Sequence, residues 1–331
     1  MRRTALALSL VLVGCESDRG LYEQVATDSW YQAPNNEVDI LFVVDDSCSM
    51  EDEQKTLSRG FASFTDAMTD SGTDFHIGVI TTSFDYSDTE RGMLRGDPMY
   101  LTNGDDYISE FSLRATVGIE GSDKEKGLEA ASYAVSPAMN VGGPNEGFVR
   151  HSASLLVVVV SDEEDCSDHA RLEGQPPESC YTDQDKLVPV GDVVSEFLNL
   201  KEDQEQVQIG AIVGVRNGSC DDTYPGTRYI DAARLTGGLV GDICEPDWST
   251  MLGDLGLNAV GIRTSFKLDS AAQPASLEVM VNGDVVDEDD NNGWSYDENT
   301  CFITFNGASV PERDSEIVAT YTIQSGGSCS L

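Results

Sequence analysis

Residues 38–50, VDILFVVDDSCSM, join an apolar run to three oxygen-bearing side chains at alternate positions, Asp45, Ser47 and Ser49. A strand that is buried on both faces reads as an unbroken run of Val, Ile and Leu, so this run predicts a central parallel strand. The carboxylate and the two hydroxyls then lie at its C-terminal end, where open α/β sheets bind ligands. One carboxylate and two neutral hydroxyls suit a hard cation that prefers octahedral geometry and keeps some of its waters. The pattern therefore predicts a magnesium site.

This pattern resembles the metal-ion-dependent adhesion site of von Willebrand factor A domains. Residues 154–162, SLLVVVVSD, extend the resemblance because they form a second apolar run that ends in an aspartate. In that family the fourth strand of the sheet ends in such an aspartate, which reaches the metal through a water. The resemblance assigns this role to Asp162. It covers about residues 37–262 and implies a bound Mg²⁺, with Mn²⁺ or Ca²⁺ as the alternatives.

A third segment, residues 121–130 (GSDKEKGLEA), is similar to the loop of that family which carries a hydroxyl ligand six residues before an apolar helix position. The resemblance assigns the ligand to Ser122 and the helix position to Leu128. Because the family usually has threonine as this ligand, Thr116 is the alternative. The ligand set implied by the resemblance is Asp45, Ser47, Ser49, Ser122 and Asp162.

Simpler interpretations of these residues stay open. Asp45, Ser47 and Ser49 are also suitable N-cap residues for a helix that is predicted to begin near Glu51. Residues 163–165, Glu-Glu-Asp, are interpreted as a solvated acidic turn at the start of a helix. Equal metal affinity in the wild type and in an Asp45→Ala variant would favour the cap interpretation.

The first fifteen residues, MRRTALALSLVLVGC, combine two arginines, a short apolar stretch and a terminal cysteine. The apolar stretch is far shorter than the roughly 20 residues that a membrane-spanning helix needs, so it is predicted to be a cleaved signal. Residues 12–15 match the lipobox of bacterial lipoproteins, which implies that Cys15 becomes the lipidated mature N-terminus. Glu16, where an aspartate would signal inner-membrane retention, favours the outer membrane or the cell surface. An ordinary secretory signal is the alternative.

The chain is strongly acidic, with 59 Asp and Glu against 20 Lys and Arg and a formal net charge of −39. Such a chain lacks the basic patch through which proteins bind nucleic acids or anionic membrane faces. We therefore expect no nucleic-acid partner, and contact with a membrane only through the N-terminal lipid.

Seven cysteines remain apart from Cys15, and an exported protein meets an oxidising compartment in which cysteines pair. We favour three pairs that close loops within single domains, namely Cys166 with Cys180, Cys220 with Cys244, and Cys301 with Cys329. Cys48, between the two ligand serines, is then left over. A disulfide between Cys48 and Cys166 is the alternative, because both would lie on neighbouring loops at the top of the sheet.

Strands alternate with helices over residues 38–262, which predicts a doubly wound, mostly parallel sheet. By the resemblance, this is the Rossmann-like sheet of von Willebrand factor A domains. From residue 263 the apolar residues recur with period two, and Asn282-Gly283 is a hairpin signal. Residues 263–331 are therefore predicted to form a small all-β domain, of the sandwich kind.

Two polar stretches have simpler interpretations. Residues 16–37 show no sustained period and are interpreted as a tether between the lipid and the domain, with docking of its aromatic residues as the alternative. Asp287, Asp289 and Asn291 are spaced as in a calcium loop, but the glycine and the glutamate of an EF-hand are absent from their positions. A solvated hairpin loop is the preferred interpretation there.

These features predict a cell-envelope lipoprotein that binds a protein ligand through a divalent metal ion. By the resemblance, the ion has an open position that an aspartate or glutamate of a partner completes. We expect no enzyme activity, because the three histidines form no HExxH pattern and the chain has no GxSxG motif. The alternatives are an envelope scaffold whose metal only stabilises a loop, or a metal-dependent hydrolase.

Overall fold

The structure is a computed structural model that describes residues 24–32, 36–216, 220 and 223–329. The predicted signal, lipobox and lipidated Cys15 lie outside these residues. The elements in chain order are β1 (Val25–Tyr31), β2 (Glu37–Val44), α1 (Glu51–Ser71), β3 (Asp74–Thr81), α2 (Tyr107–Ala115), α3 (Gly127–Val135), α4 (Pro137–Asn140), β4 (Ser154–Ser161), α5 (Ser179–Thr182), α6 (Val190–Leu198), β5 (Val207–Val213), α7 (Thr227–Leu235), β6 (Val240–Asp242), α8 (Ser249–Ala259), β7 (Ser265–Lys267), β8 (Glu278–Val281), β9 (Asp284–Val286), β10 (Trp294–Asp297), β11 (Phe302–Phe305) and β12 (Glu316–Thr322).

Five strands form a parallel sheet in the order β3-β2-β4-β5-β6. Strand β2 pairs with β3 on one side and with β4 on the other, and every residue of β4 is buried. The unbroken apolar runs of β2 and β4 are thus explained by their central places, because both faces of a central parallel strand are covered. The prediction of a central parallel strand is confirmed.

Helices cover both faces of this sheet. On one face the ring of Phe42 from β2 lies 6.0 Å from Phe61 of α1 and 4.7 Å from Phe111 of α2, measured between centroids. On the other face Val43 and Leu128 belong to a second buried apolar cluster, with residues of α3, α6 and α7. Apolar burial of this extent drives folding without any ion. The coarse prediction of an α/β unit followed by β-structure is confirmed.

The C-terminal part contains two antiparallel sheets, ordered β1-β12-β8-β9 and β10-β11-β7. The inward residues of both sheets, including Phe266, Ile303 and Ile317, share one apolar core. Asn282 and Gly283 connect β8 to β9 with positive φ angles of 53° and 88°, which is the backbone of a two-residue hairpin. Two sheets around one core agree with the predicted small β-domain.

Strand β1 corrects the interpretation of residues 16–37 as a tether. It pairs antiparallel with β12 over all seven of its residues, and Ala26 and Trp30 pack against the core of the β-domain. The Tyr321 hydroxyl donates a hydrogen bond of 2.8 Å to Asp28. Because the inward positions of β1 include this charged residue, the strand lacks a clear apolar alternation in the sequence. The α/β unit is therefore inserted between the first strand of the β-domain and its remaining strands.

The structure contains the three disulfides that the sequence favoured, Cys166–Cys180, Cys220–Cys244 and Cys301–Cys329. Cys48 is exposed and forms no disulfide, so the alternative pairing with Cys166 is wrong. Each bond closes a short loop within one domain, which restricts the unfolded chain.

The loop between β9 and β10 contains the residues with calcium-like spacing. Asp287, Asp289 and Asn291 are all exposed, and the Asp289 carboxylate accepts the backbone N–H groups of Asn291 and Asn292, both at 2.8 Å. The carboxylate thus stabilises the turn of its own loop. This agrees with the preferred interpretation of a solvated hairpin loop.

Candidate metal site

The candidate site lies at the C-terminal edge of the parallel sheet, where β2 and β4 end side by side. Asp45 directly follows β2 and Asp162 directly follows β4. The Asp45 N–H donates to the Val160 carbonyl at 2.9 Å, which extends the pairing of the two strands by one residue. Because the carboxyl ends of parallel strands meet at one edge, two aspartates far apart in sequence become neighbours.

The turn after β2 brings its two serines toward the same edge. The Ser47 N–H donates to Asp45 Oδ1 at 2.8 Å, and the hydroxyls of Ser47 and Ser49 lie 3.2 Å apart. A hydrogen bond joins Ser49 to the carboxylate of Asp162. The structure thus brings together Asp45, Ser47, Ser49 and Asp162, four of the five predicted ligands.

The alternative interpretation of these residues as helix caps is wrong. Helix α1 begins at Glu51, its N-cap residue is Met50, and no side chain accepts a hydrogen bond at that cap. The oxygen-bearing side chains of the turn instead face the edge of the sheet.

The pKa values of Asp45 and Asp162 are both well above the ordinary value of an aspartate. The pKa of Asp45 is raised from 3.8 to about 7, chiefly by burial and also by the charge of Asp162, against the hydrogen bonds from Ser161 and Ser47. Burial likewise raises the pKa of Asp162 from 3.8 to about 6, with Glu163 and Glu53 adding to the effect. A divalent cation beside both carboxylates would favour their ionised forms and remove this penalty.

Buried oxygens without partners give a test of whether a cation fits here. Across the described ranges, three carboxylate oxygens are buried without accepting a hydrogen bond, and they belong to Glu53, Glu125 and Asp162. The charge of Glu53 acts on Asp162 and the charge of Asp45 acts on Glu125, so all three oxygens lie near the two aspartates at the same edge. Buried acceptors normally have a donor or a cation as partner. The residues present therefore fit a hard cation that takes oxygen ligands.

The predicted hydroxyl ligand Ser122 forms its hydrogen bonds within the loops around it. Its hydroxyl accepts the Lys124 N–H at 3.0 Å, its own N–H donates to the Ser83 hydroxyl at 2.8 Å, and its side chain is exposed. The alternative ligand Thr116 lies at the end of α2, where its hydroxyl donates to the Ser112 carbonyl at 2.9 Å. In the described part of the chain neither hydroxyl contacts the other predicted ligands, so the assignment of Ser122 stays a prediction.

Glu125 is a residue of this edge that the sequence did not indicate. Its side chain is 1% exposed, and its carboxyl contacts that of Glu163. Burial raises its pKa from 4.5 to about 10, with Asp45 and Glu163 as further causes. Backbone hydrogen bonds to distant loops bury this residue, and a polar stretch such as residues 121–126 gives no signal of them.

The acidic run after β4 also differs from its interpretation as a solvated turn. The Glu164 carboxylate accepts the N–H groups of Thr227 and Arg228 at 3.1 and 2.9 Å, at the start of α7. Asp165 is fully buried and accepts the Arg228 Nε–H at 3.0 Å. These two acids serve a helix that is distant in sequence, so the interpretation is wrong for both.

No three His, Cys, Asp or Glu side chains in the described ranges are already arranged as a metal-binding group. Asp45 and Asp162 are only two such side chains, and serine hydroxyls are not among these residue types. The donor set of two carboxylates and two hydroxyls is therefore compatible with this finding. None of the helices in the described ranges is long and apolar enough to cross a membrane.

Comparison with known proteins finds no matching family model and no matching curated protein. Solved structures with some similarity include proximal thread matrix protein 1 from the mussel byssus, at 12% identity, a TM-score of 0.39, and coverage of 72% of this chain and 51% of that chain. The pilus adhesin SpaC from Lactobacillus rhamnosus GG, in its open conformation, matches at 15% identity, a TM-score of 0.39, and coverage of 91% of this chain and 43% of that chain. The chain thus spans about half the length of these structures or less, and similarities at this level carry no argument about function.

Proposed function

We propose that this protein is a cell-envelope lipoprotein with a von Willebrand factor A domain, which binds a protein ligand through a divalent metal ion. Asp45, Ser47, Ser49 and Asp162 would hold the ion, with Ser122 as the fifth ligand by the resemblance, and Mg²⁺ is the expected metal, with Mn²⁺ or Ca²⁺ as the alternatives. The observation that carries this proposal is the meeting of two buried aspartates at the ends of neighbouring central strands. For both carboxylates the dominant charges nearby are acidic, as judged from the residues that the structure describes.

The chemistry of this donor set suits capture of an acidic group. A divalent ion held there supplies a positive charge to which an aspartate or glutamate of a partner protein can bind. Ser47 and Ser49 contribute neutral oxygens, and by the family resemblance Asp162 acts through a water, so the ligands neutralise the ion only in part. The net charge of −39 opposes an acidic partner at long range, but that repulsion is largely screened beyond about 8 Å at physiological salt.

The test of this proposal compares Asp45→Ala with Asp52→Ala. Asp52 is exposed on the first turn of α1, so its replacement removes the same charge without touching the site. We expect calorimetry to show Mg²⁺ binding in the wild type and in Asp52→Ala, and no binding in Asp45→Ala. A pull-down from envelope extract should retain a partner with magnesium and lose it with chelator, in the wild type only.

Two results would contradict the proposal. Equal metal affinity in Asp45→Ala and the wild type would show that these residues hold no ion. A partner that stays bound in chelator would show that the ion, if present, is only structural, as in an envelope scaffold.

The envelope location is tested separately at the N-terminus. We expect mass spectrometry of the mature protein to show a diacylated Cys15 and the loss of residues 1–14. A Cys15→Ser variant should leave the membrane fraction. An intact Met1, or a Cys15→Ser protein that stays in the membrane fraction, would contradict the lipid anchor without affecting the proposal for the metal site.

A further inference from the structure

We infer that Glu125 is a third carboxylate ligand of the ion at this edge, and that it shifts the preference of the site from magnesium toward calcium. This inference rests on the proposed function, because it concerns the same ion. It differs from what the resemblance implies, since the resemblance gives the ligand of this loop to the hydroxyl of Ser122.

The first argument is the position of the Glu125 carboxyl. The side chain is 1% exposed, its Oε1 accepts no hydrogen bond in the described part of the chain, and the carboxyl lies near Asp45. Among the described residues its carboxyl forms a hydrogen bond with another acid, Glu163, and the charges that act on it, those of Asp45 and Glu163, are both acidic. A buried carboxylate oxygen that faces acids and lacks a donor calls for a cation at that place.

The second argument is the backbone, which holds Glu125 against the site from two sides. The Glu125 carbonyl accepts the Cys166 N–H at 2.6 Å, in the loop that follows Asp162. The next residue, Lys126, donates its N–H to the Thr82 carbonyl at 3.0 Å, directly after β3. The Cys166–Cys180 disulfide further restrains the first of these contacts. Glu125 is therefore fixed between the ends of two strands of the sheet, whereas the hydroxyl of Ser122 bonds within its own exposed loop.

The third argument is the choice of ion. Magnesium is usually bound through one or two carboxylates and keeps several waters, whereas calcium takes six to eight oxygens and accepts bidentate carboxylates. Asp45 and Asp162 alone suit magnesium, and Glu125 adds a third carboxylate. Since the carboxylates are not yet arranged around one point, Glu125 must turn away from Glu163 when the ion binds. The larger and more flexible coordination shell of calcium accommodates that movement more readily.

The experiment measures calcium and magnesium affinities by calorimetry on the intact protein and on four variants, Glu125→Gln, Glu163→Gln, Glu120→Gln and Asp45→Ala. Glu125→Gln keeps the size of the side chain and removes its charge, so we expect it to fold. Glu120→Gln removes one charge at an exposed position of the same loop between α2 and α3. We expect the wild type to bind Ca²⁺ more tightly than Mg²⁺. Glu125→Gln should lose at least about tenfold in Ca²⁺ affinity and less in Mg²⁺ affinity, and Glu120→Gln should match the wild type.

The outcomes separate this inference from the proposed function. If the wild type binds neither ion, both fail. If Asp45→Ala abolishes binding and Glu125→Gln equals the wild type, the metal site stands and the role of Glu125 is wrong. Loss of calcium affinity in a Glu163→Gln variant but not in Glu125→Gln would also overturn the inference, because the third ligand would then be Glu163. Thermal melting without metal checks that each variant is folded.

Discussion

Strand β2 has a buried aspartate near each end, and the two have opposite surroundings. Asp39, near the start, accepts the Arg150 backbone N–H at 2.6 Å and the Arg150 Nε–H at 2.7 Å, with Lys201 Nζ at 4.0 Å. Asp45, directly after the end, accepts hydrogen bonds from Ser47 and Ser161, both neutral, and lies near the charge of Asp162. Both side chains are 0% exposed.

The contrast shows that this chain supplies basic partners where a buried acid has a structural role. Asp165 and Asp168, close to the candidate site, are also paired, with Arg228 at 3.0 Å and Lys126 at 2.6 Å. In the described part of the chain, Asp45, Asp162 and Glu125, which lie at the edge of the sheet, have no such basic partner. A buried charge without a counter-ion is costly, so its presence at a ligand-binding edge points to a counter-ion from outside the chain.

The largest expected effect is on stability when each aspartate of β2 is made neutral. Asp39→Asn should lower the free energy of unfolding by about 3 kcal/mol, because it leaves the charges of Arg150 and Lys201 buried without their partner. Asp45→Asn should leave the metal-free protein as stable as the wild type or more so, because it removes a buried, repelled charge. Denaturant unfolding in chelator measures both. Equal losses of unfolding free energy in Asp39→Asn and Asp45→Asn would show that the two ends of β2 do not differ in this way.

Two disulfides extend the comparison. Cys166–Cys180 lies beside the candidate site, whereas Cys301–Cys329 lies in the β-domain. Removal of Cys166–Cys180, with a sequence separation of 14, should cost about 3 kcal/mol in the chain-entropy model, and removal of Cys301–Cys329 a similar amount. Metal affinity should fall only in the first case, because Cys166 donates its N–H to the Glu125 carbonyl. Paired Cys→Ser variants, studied by melting and calorimetry, give both quantities. An equal change of metal affinity in the two variants would show that the Cys166–Cys180 disulfide does not specifically support the metal site.

Metal removal should have a slightly smaller effect. A divalent ion at about 100 times its Kd should stabilise the wild type by about 2.7 kcal/mol relative to the protein in chelator. The same ion should leave the stability of Asp45→Asn unchanged, whereas folded Asp39→Asn should still respond. Thermal melting at several ion concentrations measures this, with a monovalent salt of equal ionic strength as the control. Stabilisation of Asp45→Asn by the ion would place the metal elsewhere.

Per unit of pH, the smallest effect we expect is a pH dependence of the metal-free protein, at most about 1.4 kcal/mol for each carboxyl that titrates. The pKa values of Asp162 and Asp45 in the folded protein, about 6 and about 7, are higher than the ordinary value of 3.8. The folded state therefore binds more protons than the unfolded state, so stability decreases as pH rises through these values. The contribution is complete below about pH 4 and lost by about pH 8. Melting in chelator across this range should show the decline, and Asp45→Asn should show a shallower one.

Part of the site follows directly from the sequence. Asp45 and Asp162 could be predicted because each ends an unbroken apolar run, and such runs become central parallel strands whose carboxyl ends share one edge. The serines follow from their spacing in the turn. The alternation of strands and helices, and the later change to period two, predicted the order of an α/β unit and a β-domain. These features depend on local pattern and on a general rule of sheet assembly.

Other features were decided by contacts between segments that are distant in the chain. Strand β1 joins β12 across the whole α/β unit, although its charged inward position conceals it in the sequence. Glu125 is buried because its carbonyl bonds to Cys166 and its neighbour bonds to Thr82, while Ser122 in the same loop is exposed. The sequence by itself determined which acids end the central strands, since hydrophobic patterning is local. Only the tertiary structure decided which further acid is buried beside them, because burial of a loop residue depends on the surfaces that packing brings around it.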